Sequence, residues 1–249
     1  MTPASIEWID SCESTNTVMK QRGAAVPHAH AIAARTQTAG RGQRGNSWEA
    51  EPLKNLTYSQ MLRPTAMSAT RQFELSMLTS LALLDVLSRH LPEPERLSLK
   101  WPNDIYYGDR KLGGILIEGC VSGSELESVI LGVGINVNQE VFTSDAPNPV
   151  SMKQISGREY ELESLMQELA DAVAVQTDIY EEDLEIDELH ALYMQSLWHR
   201  EGMHPYRDTA TGERFLAEIA GVAHSGLLSL RTAEGDVREY EFKGVAAEL

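Results

Sequence analysis

Residues 100–137 read KWPNDIYYGDRKLGGILIEGCVSGSELESVILGVGINV. Apolar runs broken by short Gly/Ser/Asp turns predict an antiparallel meander. Ile105-Tyr106-Tyr107 leads into the turn Gly108-Asp109-Arg110, Leu112–Cys120 returns, Ser122-Gly123-Ser124 turns again, and Val129–Val137 follows. This last strand is read as a sheet edge through which two copies could pair, so monomer and homodimer both stay open. Upstream, Ser68–Leu91 carries Phe73, Met77, Leu78, Leu81, Leu84 and Leu87 mostly at three- and four-residue spacing, a helix that Pro92 and Pro94 stop. Ile6–Ile9, Ala29–Arg35 and Leu56–Leu62 are further strands, and Ser14-Thr15-Asn16 is expected to cap a short helix through its side chains. Downstream, Leu162, Leu165, Met166, Leu169 and Val173 mark one helix, and Leu189, Leu192, Tyr193 and Leu197 another.

After Trp198 the texture changes to short strands, Arg214–Gly221, Leu227–Ala233 and Val237–Phe242, separated by His224-Ser225-Gly226 and Glu234-Gly235-Asp236. About 50 residues of this kind form a unit too small to be robust alone. The expected architecture is therefore α+β: a mixed β-sheet with helices packed on it over residues 1–199, and a small β unit over 200–249.

The chain has 249 residues, 42% of them hydrophobic, which suffices for one large domain or a large and a small one. No apolar run reaches the roughly 18 residues of a membrane span. The first residues have neither the basic nor the apolar region of a secretion signal. Cys12 and Cys120 make no metal-ligand spacing and no disulfide framework, so the expected location is the cytoplasm. The net charge of −16 is uneven: residues 1–111 hold 13 Lys/Arg and 11 Asp/Glu, whereas 112–249 hold 8 and 26. An anionic ligand therefore belongs with the first half. The acidic half, whether repulsive or merely a solvated face, argues against binding a nucleic-acid backbone.

Gly40-Arg41-Gly42-Gln43-Arg44-Gly45 satisfies the G-x-G-x-x-G dinucleotide pattern. The context does not: Asn46-Ser47-Trp48-Glu49 and Pro52 make poor helix material, and no acid stands between Glu51 and Glu74. What remains is a glycine-rich loop bearing two guanidiniums, which suit phosphate oxygens, and an indole with a stacking face. Either it folds over a ligand or it is a plain surface loop, and Trp48 is either an adenine partner or a core residue.

Lys100-Trp101-Pro102-Asn103-Asp104, Lys111-Leu112-Gly113-Gly114-Ile115 and Gly132-Val133-Gly134-Ile135-Asn136-Val137 each have a structural explanation when taken alone. Together with Ser14-Thr15-Asn16 and Thr36–Gly45, in this order, they resemble the catalytic domain of biotin protein ligases. The resemblance runs from about Ile6 to Asn138 and more weakly to the C-terminus. It implies an SH3-like barrel for the last 50 residues and helices on one side of the main sheet. It is closest to the short, ligase-only type, since Ser14 stands 13 residues from the start, leaving no room for the DNA-binding segment of repressor relatives. One departure stands out: Gln43 occupies a place where the family often has arginine, which weakens the loop's charge for holding the activated intermediate.

The resemblance implies adenylation of biotin by ATP with Mg²⁺, then transfer of the biotinyl group to a lysine of the biotin carboxyl carrier domain of a carboxylase. Both reactants of the first step are anionic, so preplaced cations are required. Lys111 is the main catalytic candidate, with Arg41 and Arg44 on phosphate. Asn103 and Asp104 hold Mg²⁺ or orient the incoming amine. Biotin is expected against Ser14, Thr15, Asn16, Gln37, Gly40, Arg41, Lys111, Gly113, Gly114 and Ile115. ATP is expected against Arg41, Gln43, Arg44, Trp48, Asn103, Lys111 and Asn136. Three rivals stay open: a lipoate or octanoate ligase or transferase of the same superfamily, a non-catalytic regulator that binds the vitamin, and a generic nucleotide-binding module.

Overall fold

A computed structural model describes residues 3–248 except Ala66, Asp145, Pro147 and 183–185, and except the side chains of Arg44, Glu181 and Glu182. In chain order the elements are β1 (Ile6–Ile9), α1 (Thr15–Arg22), β2 (Ala31–Ala34), β3 (Leu56–Leu62), α2 (Gln72–His90), β4 (Leu97–Lys100), β5 (Asp104–Tyr107), β6 (Arg110–Ser122) and β7 (Glu125–Ile135). Then come α3 (Met152–Ser156), α4 (Leu162–Glu182), α5 (Ile186–Gln195), and β8 (His204–Asp208), β9 (Arg214–Val222), β10 (Leu228–Thr232), β11 (Val237–Tyr240) and β12 (Val245–Ala247).

The first seven strands form one mixed sheet in the order β1-β2-β3-β7-β6-β5-β4. Only β1 and β2 are parallel; every other neighbour is antiparallel, as hairpin turns dictate. The meander is present, but β7 lies at the centre between β3 and β6, not at an edge. The expectation that Val129–Val137 offers a dimerisation edge is therefore overturned: its backbone is paired on both sides. The outer side of β4 is also covered, because Leu99 exchanges backbone hydrogen bonds with Ser196 and Trp198 (both 2.8 Å).

Side-chain alternation divides the sheet into two faces. Leu56, Tyr58 and Leu62 of β3 and Val129, Leu131, Val133 and Ile135 of β7 point into the main core with α2 and α4. Ile32, Met61 and Ile130 point the other way, where Met19 of α1 covers them. The helices are thus not confined to one side: α1 packs on the opposite face, and it is this face that carries the site.

The last five strands form a separate antiparallel sheet in the order β11-β10-β9-β8-β12. Among the described residues no ladder joins β11 to β12, so this SH3-like unit is an open five-stranded sheet, not a closed barrel. It docks through aromatic contacts. Trp101 Nε1 donates to the Gly226 carbonyl (2.9 Å), and Phe242 lies against Trp101 and Phe73 at ring-centroid distances of 5.5 and 5.8 Å. No helix among the described residues is long and apolar enough to cross a membrane.

Candidate active site

The strand registers lay the floor of the site. One row across four strands runs Thr57, Gly134, Gly114, Asp104; the next runs Ser59, Gly132, Leu116. The glycines in the middle leave a depression where side chains would otherwise fill the face, and other groups settle into it. A Cβ on Gly134 would stand 2.5 Å from the Trp48 indole, and one on Gly132 would collide with the Asn16 amide. The result is a cleft of about 800 Å³ between α1, the Gly40–Trp48 segment and strands β5–β7.

Lys111 reaches this cleft through a β-bulge. Ile105 opposes Gly113 and Tyr106 opposes Lys111, so Leu112 is an extra residue on β6. Regular alternation from Gly114 would turn Leu112 to the cleft and Lys111 to the core. The bulge reverses this: Leu112 is fully buried, and Lys111 Nζ pairs with Asp104 Oδ1 at 2.6 Å and lies 5.6 Å from the Trp48 ring centroid. Nearby Lys100 sits between Tyr106 and Trp198 (4.9 Å from each ring), and burial lowers its pKa, partly countered by Asp104.

Residues 40–48 form a closed hairpin. Trp48 N–H donates to the Gly40 carbonyl (2.9 Å) and Gly42 N–H to the Asn46 carbonyl (2.7 Å), with one 3₁₀ turn at Gln43–Gly45. Arg41 on this flap pairs with Glu118 Oε2 (3.1 Å), which also accepts from Asn16 Nδ2 (2.6 Å). At the flap's base Glu49 binds Ser144 and Thr143; burial works to raise its pKa, but these hydrogen bonds outweigh that and hold it at about 2.

The start of α1 is not capped as expected. Ser14 makes no side-chain cap; instead Gln37 Oε1 accepts the Thr15 N–H at 2.7 Å. Thr15 and Asn16 are tied to Ser59 (2.8 and 2.5 Å), so the Ser14 hydroxyl lines the cleft without being spent on the helix end.

Of the other expected residues, Asn103, Asp104, Gly114, Ile115 and Gln43 line the cleft. Asn103 is locked to β6: its side-chain amide donates to the Ile115 carbonyl, and its main-chain carbonyl accepts from Ile115 N–H (2.9 Å). Gly113 and Gly40 serve packing. A Cβ on Gly113 would meet Ile135 at 2.6 Å, and one on Gly40 would meet the Trp48 carbonyl at 2.6 Å. Asn136 lies outside the cleft, buried, donating to the Val150 and Lys111 carbonyls (3.1 and 3.4 Å); it ties the start of β6 to the segment before α3. The Arg44 side chain lies outside the described residues. Sequence reasoning missed Glu118, Ser59 and Lys243. Glu118 was accessible from period-two alternation, since 114, 116 and 118 share a face; Lys243 comes from the C-terminal sheet and gave no local signal.

The family described as biotin/lipoate A/B protein ligase matches residues 8–136, the span that builds this floor and flap. The chain belongs to that family. A biotin–[acetyl-CoA-carboxylase] ligase of Paracoccus denitrificans is 35% identical over 156 residues, 60% of this chain and 64% of that protein. The human biotin–protein ligase is 31% identical over 216 residues, 83% of this chain but 28% of its own length. The chain thus spans under two thirds of these family members. A biotin protein ligase from Aquifex aeolicus, solved in complex with biotin and ATP, superposes with a TM-score of 0.79 over 98% of both chains at 21% identity, which establishes the shared fold.

Proposed function

We propose that the chain is an ATP-dependent biotin protein ligase. The observation that carries this reading is Lys111. A bulge turns its ammonium into a cleft roofed by an arginine-bearing flap, beside a carboxylate and under an indole. The names of the relatives, and the biotin and ATP held by the Aquifex protein, support the same reading.

In the first step a biotin carboxylate oxygen attacks the α-phosphorus of ATP, and the bond to the departing pyrophosphate breaks. Two anions must meet, and Lys111 offsets their repulsion where charge builds. Biotin lies between α1 and the glycine floor, its ureido group within reach of Ser14, Thr15, Asn16 and Gln37. The adenine stacks on Trp48, whose Nε1 is buried without a hydrogen-bond partner. Arg41 leaves Glu118 for phosphate. In the second step a carrier lysine amine attacks the acyl carbon, AMP leaves, and Asp104 orients the amine and takes its proton.

Asp104 and the Asn103 side-chain oxygen supply one carboxylate and one neutral oxygen, and no cluster of three or more His, Cys, Asp or Glu among the described residues could hold a metal. That donor set fits Mg²⁺ that arrives on phosphates, which is how this ion is usually held; it would neutralise phosphate charge. The acceptor is a biotin carboxyl carrier domain, the location cytoplasmic, and the working units are residues 1–199 and 200–249.

Acid-stimulated ATP–pyrophosphate exchange with biotin, lipoate and octanoate in parallel tests the reading. Stimulation by biotin alone is expected. Stimulation by lipoate or octanoate in its place would reassign the substrate, and exchange with none would remove the ligase reading.

A further inference from the structure

We infer that a side pocket between the flap tip, the start of α2 and the Trp101–Asn103 turn receives the lysine arm of the acceptor in the transfer step. The inference rests on the ligase reading and names the route by which its second substrate reaches the cleft.

The pocket exists because β5 begins late. Asp104 pairs with Gly114, and Asn103 closes the pairing at Ile115, so beyond that point no described strand runs along the outer edge of β6. The gap joins the cleft to the α2 side of the sheet, and Gln43, Pro102, Asn103 and Ile115 are walls of both spaces. The far wall is Thr70 at the rim, then Gln72, Phe73 and Ser76. These residues are held in place. The Ser68 hydroxyl accepts the Thr70 N–H (3.4 Å), Ala69 N–H donates to the Ser124 carbonyl (2.9 Å), and Phe73 packs edge-on against Tyr193 at 5.7 Å between ring centroids. Gly119 makes room for Gln72, whose Oε1 would stand 2.8 Å from a Cβ there.

Size and chemistry both select an unbranched amine. The pocket encloses about 170 Å³, roughly the space of five or six waters. An extended lysine arm fills that volume, whereas a purine or a fused bicycle is too large. Its walls combine apolar surface from Phe73, Ile117 and Pro102 with neutral oxygens from Thr70, Gln72 and Ser76, and among the described residues none of its walls is charged. The apolar surface covers the methylenes, and the oxygens accept from the amine N–H. Surroundings without a carboxylate favour the uncharged amine, which is the form that attacks. The arm passes Asn103 and delivers its nitrogen beside Asp104, the next residue and a wall of the cleft. There the nitrogen lone pair attacks the acyl carbon of biotinyl adenylate. The bond from that carbon to the phosphate oxygen breaks, AMP leaves with the electron pair, and the amine proton passes to Asp104. The adenylate stays in the cleft throughout, because the arm arrives by a separate opening.

The test follows discharge of enzyme-bound biotinyl adenylate in a single turnover of the whole chain. The nucleophiles are n-butylamine, which copies the lysine arm, hydroxylamine, and a biotin carboxyl carrier domain, each with wild type, Thr70→Trp and Thr70→Ser. Thr70 is exposed, so an indole there should occlude the mouth without disturbing the fold, which equal melting temperatures check. In Thr70→Trp the half-saturating concentrations of butylamine and of the carrier domain should rise about tenfold, with adenylate formation and hydroxylamine discharge within about twofold of wild type. Thr70→Ser, which leaves the mouth open, should match wild type throughout. Unchanged butylamine discharge in Thr70→Trp, or equal slowing of butylamine and hydroxylamine, would overturn the assignment. If Thr70→Trp slows butylamine but the carrier domain is never modified, the pocket stands and the acceptor reading fails. If wild type forms no adenylate, both fall.

Discussion

Gly134→Ala isolates the contact between floor and flap. The added methyl would stand 2.5 Å from Trp48 Cε2 and 2.8 Å from Cζ2 and Nε1, so the indole must retreat by about an ångström to reach ordinary contact. The indole cannot retreat freely, because its backbone is tied to Gly40 and the hairpin closes again at Gly42–Asn46. Overpacking of this kind costs about 1–3 kcal/mol, which corresponds to a loss of roughly 5- to 150-fold in affinity for whatever stacks on Trp48. The same substitution lowers the backbone entropy of the unfolded chain, worth about 0.5–1 kcal/mol in a strand interior, so the melting temperature should fall little. Biotin, seated beyond Gly132 against α1, should bind within about threefold of wild type. Calorimetric titration of ATP and of biotin separates the two. An ATP affinity within twofold of wild type, or an equal loss for both ligands, would refute the claim that Gly134 exists to admit the indole.

Other perturbations test neighbouring parts. Glu118→Gln keeps an acceptor for Asn16 but removes the charge that holds Arg41; since that pair is partly exposed, release should lower the KM for ATP only about two- to fivefold, and a raised KM would show that Glu118 supports the bound state instead. His199 is held neutral, its pKa lowered to about 4 by burial and then by His204, with Lys100 adding to it against Asp109. The unfolded chain therefore binds the extra proton first, and stability should fall as pH drops from about 6.5 towards 4. His199→Asn, which suits the φ of +58° there, should flatten the urea midpoint against pH across that window, and an unchanged slope would refute the assignment.

The meander, the long helix and the change of texture after Trp198 were legible because periodicity and turn residues are local signals. Strand β4 was not read, since Leu97–Lys100 is four residues long and is stabilised by Tyr107–Asp104 on one side and Ser196–Trp198 on the other. β8 and β12 were missed for the same reason: each is short and paired at long range. β7 was misplaced at an edge because strand order depends on which distant segments pair. In the site, glycine spacing marked the floor, but its purpose depends on Trp48 and Asn16 arriving from elsewhere. The bulge at Leu112 explains why Lys111 faces the cleft, and nothing in the apolar pattern announces it. Asn136, read as a nucleotide contact, is a buried brace, a role that the same residue type in the same motif fills equally well.

The central claim is that the Lys111 ammonium brings two anions together. Mixing radiolabelled biotin with ATP and following the biotinyl adenylate in a single turnover tests it most directly. Lys111→Ala should bind biotin, melt within a few degrees of wild type and form adenylate roughly a hundred- to a thousandfold more slowly, as expected when preplaced charge is removed from a site of this kind. Adenylate formation at a near-normal rate by that folded variant would contradict the account.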